Sequence, residues 1–389
     1  MIYFDNNATT RLSVGVKQCI IDSMDLYYNP SSLYSEGQYV KERIESARNN
    51  VAQLIGAEAK NIIFTGCATE SNNTVISTCI DSSALPKKHI VVSSVEHSAI
   101  LEAVKHYEKL GCIELTILPV DSFGRIKLDD VRAAIKDNTI LVSIMLVNNE
   151  VGNIYPIKEF VEDVKKINPL TKFHTDATQA IGKYKVDIKE LNVDYLTLSG
   201  HKFHALKGIG ALYIKTINDF KPFMYGGHQE NGRRAGTENT LGILTMGQAA
   251  KEVMGSLDAD IELMANLRDY LEKQLTKLNV GANSGRYSFL GDLEHRVCNT
   301  SCILIDGFDG RLVCTTVDTD GETDDSSISS GSACNSGDLE ASHVMQAMGI
   351  KQIPIRVSFD RYNTLDEVRI FIRKLQKALN KLKNQGANT

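Results

Sequence analysis

Six short apolar runs, each followed by a polar or amphipathic segment of helix length, constrain this fold more than any other feature of the chain. They are Ile62–Thr65, His89–Ser93, Leu115–Leu118, Ile140–Val147, Lys172–His174 and Tyr195–Leu198. A strand with one wet face alternates apolar and polar residues, whereas near-continuous runs belong to strands covered on both faces. Helix-length spacers let successive strands run parallel. The pattern predicts an α/β fold of three layers, a mostly parallel sheet flanked by helices. Ligands in such sheets sit beyond the carboxyl ends of the strands. Thr69, His97, Asn149, Asp176 and Lys202 each follow one of these runs and would converge there.

Helical periodicity supports the same layering. Val40, Ile44, Ala47, Val51 and Leu54–Ile55 recur at helical spacing and stop at Gly56, a glycine terminator. Beyond Lys251 the pattern changes to a long helical segment, shorter strands and a last helix. That helix opens on a capping box, Thr364–Glu367, and carries Val368, Phe371, Leu375, Leu379 and Leu382. With 389 residues the chain has room for two domains. The expected division is a large domain over 14–251 and a smaller α+β domain over 252–389.

Bulk properties exclude several classes. A net charge of −5 and a pI near 6.0 argue against a general nucleic-acid or anionic-membrane binder. The first residues, Met1–Asp5, show no basic segment leading into an apolar core, so no secretion signal is expected. The longest apolar stretch, Ile140–Val147, contains Ser143 and is too short to span a bilayer. A cytoplasmic enzyme is the expectation. The eight cysteines form no C-x-x-C pair and have no histidine at zinc spacing, so no metal is expected. Most of them read as packing residues.

The chemistry concentrates in two segments. Ser199-Gly200-His201-Lys202 places a lysine in the loop after a buried strand. A lone loop lysine is ordinarily a solvated surface residue, but desolvation lowers a lysine pKa toward neutrality. A neutral amine at a strand end is what attachment to an aldehyde cofactor needs. Upstream, Phe173-His174-Thr175-Asp176-Ala177-Thr178-Gln179 ends another short strand in polar groups. Asp176 there is either a helix cap or the anionic partner of a cofactor's ring nitrogen. Gln179 projects from the same turn and could donate to the ring's phenolic oxygen. Beside Lys202, the cofactor reading of Asp176 is preferred. Thr69 opens a helix whose free N–H groups and dipole favour an anion.

In order along the chain, these segments resemble those of cysteine desulfurases of the NifS/IscS-like group, within the class V aminotransferases of PLP-enzyme fold type I. The matching stretches are Asp5–Thr10, Asn29–Ser32, Ala68–Asn73, Glu96-His97, Asn148–Gly152, Asp176–Gln179, Ser199–Lys202, Gly232–Thr237 and Ser329–Cys334. The resemblance implies pyridoxal 5'-phosphate (PLP) on Lys202, with Ala68, Thr69, Ser199 and His201 toward its phosphate. It implies that His97 stacks on the ring and moves protons, and that Asn149 meets the phenolic oxygen or the substrate carboxylate. Arg356 is the expected carboxylate clamp, since a planar guanidinium matches a carboxylate. Cys334, amid small residues, would attack the sulfur of L-cysteine, take it as a persulfide, release L-alanine and pass it to a sulfur-acceptor protein. Residues 1–13 would join the small domain, and Thr237 would complete the phosphate site of the neighbour in a homodimer.

The chain also departs from the pattern. After the lysine it reads His204-Ala205-Leu206-Lys207-Gly208 where the family has His-Gly-Pro-Lys-Gly, so the turn must be rebuilt. Acidic residues 318–325 replace an apolar element and read as a solvated loop; their spacing fails as a calcium loop. Only 22 positions separate Cys334 from Arg356, fewer than the family leads one to expect. The alternatives weighed beside a desulfurase are a selenocysteine lyase or aminotransferase of the same fold, and a sulfur carrier with degenerate catalysis.

Overall fold

The computed structural model describes residues 2–218, 220–278, 287–318, 326–331 and 340–385. Among them, a seven-stranded sheet holds β1 (Ile62–Thr65), β2 (His89–Ser93), β3 (Glu114–Leu118), β4 (Thr139–Ser143), β5 (Lys172–Asp176), β6 (Tyr195–Ser199) and β7 (Gly210–Ile214). The order is β1-β7-β6-β5-β4-β2-β3. β7 runs antiparallel to β1 and β6, and the other pairings are parallel. The helices that position the site are α1 (Ser35–Leu54), α2 (Ala68–Ser82), α3 (Ser98–Lys109), α4 (Thr240–Leu278) and α5 (Leu365–Asn384).

Both faces of the sheet are covered, as the near-continuous apolar runs require. Ile62, Phe64, Val91, Val142, Leu196 and Leu198 enter one core, with Val40, Ile44 and Val51 of α1 and Ile243, Met246 and Ala250 of α4. Ile63, Ile90, Val92, Leu141 and Leu212 enter the other, with Val75 and Ile76 of α2 and Ile100 and Val104 of α3. Each such side chain contributes about 1.5–3 kcal/mol on burial, so packing rather than helix propensity fixes the layers. α1 and α4 approach closely because a Cβ on Gly247 would lie 2.5 Å from that of Ala47. The run expected as one strand over Ile140–Val147 divides. β4 ends at Ser143, and Ile144–Val147 leave the strand while staying buried beneath the site.

A second, antiparallel sheet of order β10-β9-β8 comprises β8 (Tyr287–Leu290), β9 (Thr300–Ile305) and β10 (Ile355–Ser358). α5 packs with it and carries the expected capping box from Thr364 to Glu367. The N-terminal segment adheres to this region. Ile2–Tyr3 pair with Ser326–Ser327, and Phe4 meets Phe359 and Phe371 edge-on at 4.9 and 5.5 Å. Position 251, where the sequence places a domain boundary, lies inside α4. No helix among the described residues is long and apolar enough to cross a membrane. The acidic positions 319–325 and Cys334 lie outside the described residues.

Candidate active site

At the carboxyl ends of the parallel strands lies a cavity of about 260 Å³. The residues gathered there from the sequence all line it: Ala68, Thr69, His97, Asn149, Asp176, Gln179, Ser199, His201, Lys202 and Arg356. Thr237 does not; it is exposed on the segment preceding α4. Six further residues line the cavity, Asn7, Ala8, Cys67, Met145, Val147 and Thr178, and nothing in the sequence assigns them a role there. Cys67 is exposed at the start of α2, not a packing residue.

Lys202 ends a single 3-10 turn, Gly200–Lys202, directly after β6. Its Nζ donates to the main-chain oxygens of Asn7 at 2.6 Å and Ala8 at 2.7 Å. The N-terminal segment is fastened across this turn. Thr10 donates to the His201 carbonyl through both its N–H and its hydroxyl, each at 3.0 Å, and the hydroxyl accepts the His204 N–H at 2.8 Å. The rebuilt turn puts His204 at φ +74°, an uncommon conformation for a residue with a Cβ. Its ring is held by the Arg11 carbonyl at 2.9 Å and meets Tyr362 edge-on at 5.3 Å. Gly210 has a steric reason at the other end of the turn: a Cβ there would sit 2.7 Å from the Cys67 carbonyl carbon.

Asp176 ends β5 and is buried. One of its oxygens accepts from Asn72 Nδ2 at 2.8 Å, and the other from the Thr178 N–H at 2.9 Å. The capping geometry weighed from the sequence is therefore present, on a carboxylate that also faces the cavity. Gln179 Nε2 donates to the Asn7 carbonyl at 2.9 Å, sharing that oxygen with Lys202. His97 caps α3, its Nδ1 accepting the Ala99 N–H at 3.1 Å. Burial lowers its pKa below the ordinary value, Lys202 and His343 add to this, and Asp176 opposes it. The ring is thus neutral at pH 7, with its proton on Nε2.

One end of the cavity is built for an anion. α2 begins there at Ala68 without a side-chain cap, so its first N–H groups stay available. Ser199 Oγ and Thr178 Oγ1 are buried, without a hydrogen-bond partner among the described residues. Buried hydroxyls are normally satisfied, so two such donors in the same cavity as an uncapped helix start fit a phosphate. With a lysine amine and a buried carboxylate across the same cavity, the donor set fits a phosphorylated pyridine aldehyde. At another edge Arg356, on β10, is 2% exposed. It donates to the Asn149 carbonyl at 2.8 Å and to Asp5 Oδ1 at 2.7 Å, while its Nε is buried without a partner among the described residues.

Comparison with known proteins gives a consistent result. The family model "Aminotransferase class-V" matches residues 2–371. A protein of Nostoc sp. named "Cysteine desulfurase" is 39% identical over 388 residues, covering 98% of this chain and 94% of that protein. A solved "NIFS-LIKE PROTEIN" superposes with a TM-score of 0.89 at 34% identity, covering 98% of this chain and all of the other. The structure titled "SspA in complex with cysteine" superposes with a TM-score of 0.79 at 30% identity, covering 94% of this chain and 100% of the other.

Proposed function

The chain belongs to the class-V aminotransferase family and is a cysteine desulfurase, and from that premise we propose which of its residues do the work. The observation that carries the proposal is the convergence on one cavity of Lys202, Asp176, His97 and the uncapped start of α2. Lys202 is the attachment point for PLP. Asp176 would be the anionic partner of its ring nitrogen. Ala68, Thr69, Ser199 and His201 hold the phosphate, and Asn149 and Gln179 meet the phenolic oxygen. When bound, the cofactor supplies an electron sink for the bonds at the substrate's α-carbon.

The protein's own groups then divide the remaining tasks. Arg356 orients the L-cysteine carboxylate. Lys202 would move a proton at the substrate's α-carbon, with the carbonyls of Asn7 and Ala8 holding its amine. His97, neutral and partly buried, would lie against the cofactor and take up or return a proton at the sulfur side. Cys334 accepts the substrate sulfur as a persulfide, which leaves L-alanine, and passes it to an acceptor protein. Residues 14–251 form the cofactor-binding part, and 1–13 with 252–389 the part bearing Cys334. A second copy places Thr237 at the phosphate of its neighbour, so the working form is a homodimer. The described cysteines are free thiols, which fits work in a reducing compartment such as the cytoplasm.

The test measures sulfide and alanine formed from L-cysteine with a thiol reductant, in wild type and in Cys334→Ala. Equimolar products, lost in the variant while the yellow cofactor stays bound, support the proposal. Sulfide release that survives in the variant overturns the role of Cys334 and points to a lyase of the same fold.

A further inference from the structure

Behind Gln179, away from the cavity it lines, lies a second lysine that the reaction as described does not use. Lys183 follows Gln179 by four residues in the turns after β5 and is only 5% exposed. Its Nζ donates to Gln179 Oε1 at 3.0 Å, and Cys298 Sγ donates to its main-chain carbonyl at 3.3 Å. The charged and titratable groups around it are Lys202, His201, His204, Cys298, Arg356 and Asp360, with Asp260 and Arg361 lining the same small cavity. Burying a lysine is costly unless its amine has a specific use.

The use follows from the chemistry of a primary amide. Such a group has one acceptor end and one donor end, and nothing intrinsic decides which faces the cavity. Here the acceptor end is occupied by the amine of Lys183. One Nε2 proton goes to the Asn7 carbonyl at 2.9 Å, which leaves the second for the cavity. We propose that Lys183 is a positioning residue that fixes the Gln179 amide with its N–H edge toward the cavity. The phenolic oxygen of the bound cofactor then meets a donor rather than a carbonyl. This rests on the reading of the cavity as a PLP site. Burial, with Lys202 next, pushes the Lys183 pKa down to about 7, so the amine is in part neutral near neutral pH. A neutral amine still donates, and the amide stays fixed without a full buried charge beside Lys202.

The experiment is a pH titration of the absorbance of the PLP-loaded protein, which reads the bound cofactor's own proton rather than turnover. A donor at an anionic oxygen favours the anion, so losing it raises the midpoint. Lys183→Met keeps the volume but removes the donor, and the midpoint rises by about half to one unit. Lys183→Gln keeps a donor without charge and titrates like wild type. Gln179→Leu shifts the midpoint as Lys183→Met does, and adding Lys183→Met to it shifts nothing further. Should Lys183→Met fail to fold, a shift in Gln179→Leu without one in Lys183→Gln still supports the proposal. An unshifted Lys183→Met, equal shifts in Lys183→Met and Lys183→Gln, an unshifted Gln179→Leu, or additive shifts in the double variant overturn it. Wild-type protein that takes up no borohydride-reducible cofactor overturns the underlying reading and the proposal with it.

Discussion

Lys202 Nζ donates to the main-chain oxygen of Asn7 at 2.6 Å, across a separation of 195 residues. The strand that ends at Ser199 brings the lysine to the cavity, but an N-terminal segment anchored on the small antiparallel sheet supplies its acceptors. Asn7 is fixed in turn by Thr300, whose hydroxyl accepts its Nδ2 at 2.8 Å, and by Asn299, whose Nδ2 donates to its Oδ1 at 3.1 Å. The site is therefore assembled from both sheets.

If Lys202 is the attachment point, Lys202→Ala abolishes the borohydride-reducible form and lowers desulfurase activity by about a thousandfold or more. The fold, read by circular dichroism and Tm, should change little, because the amine makes contacts to carbonyls that the cavity's water can replace. Absorbance and turnover, measured side by side, check this. A variant retaining a reducible cofactor band would remove Lys202 from its assigned role.

Thr10 ties the N-terminal segment to the turn around Lys202. Thr10→Val keeps the shape but leaves the His204 N–H without its acceptor and the His201 carbonyl without one donor. A buried donor left unpaired costs about 1–3 kcal/mol. We expect a drop in Tm of several degrees and weaker PLP retention, measured by thermal denaturation and cofactor release. An unchanged Tm would mean that the turn holds itself.

Much of this was legible in the sequence because local chemistry and burial carry it. Unbroken runs such as Ile62–Thr65 and Tyr195–Leu198 announce strands covered on both faces. Helix starts such as that at Thr364 carry their own caps. The residues at the strand ends, Asp176 and Lys202 among them, follow directly once the sheet is parallel. What stayed hidden depends on contacts between segments far apart in sequence. Nothing local marks Asn7 and Ala8 as acceptors for Lys202, since they act through main-chain carbonyls that every residue has. Nothing in the sequence marks Lys183 as buried; the turns after β5 bury it. Ile144–Val147 look like more strand because burial beneath a site and burial within a sheet leave the same apolar pattern.

Glu96, just before His97, gives a pH test. It is fully buried, accepts from Ser93 Oγ at 2.6 Å and the Met145 N–H at 2.9 Å through one oxygen, and its other oxygen has no partner among the described residues. Burial, with Asp176 adding to it, pushes its pKa up to about 8. The folded carboxyl is then neutral where the unfolded one, near 4.5, has ionised. Its contribution is fully present below that unfolded value and is lost as pH rises toward 8. Glu96→Gln removes this dependence and should stabilise the protein at pH 8 relative to wild type, by about 1–3 kcal/mol, while changing little at pH 5. Urea denaturation at the two pH values decides it. A variant equally destabilised at both would mean that the carboxyl is ionised and satisfied in the fold.

If Arg356 is the carboxylate clamp proposed above, it carries two duties that its variants should separate. Its Nη atoms hold Asp5 and the Asn149 carbonyl, and its Nε is the buried donor without a partner among the described residues. A planar guanidinium can keep both inner contacts and still present an N–H to a carboxylate, which a lysine ammonium cannot do in the same geometry. Arg356→Lys therefore raises KM for L-cysteine by about 10- to 100-fold, with kcat falling less, because the lost contact is made in the ground state as well as the transition state. Stability also falls, since one of the two inner acceptors loses its donor. Steady-state kinetics and Tm on the same preparation separate the duties. A lower Tm with KM unchanged would confine Arg356 to fastening the N-terminal segment and send the carboxylate elsewhere.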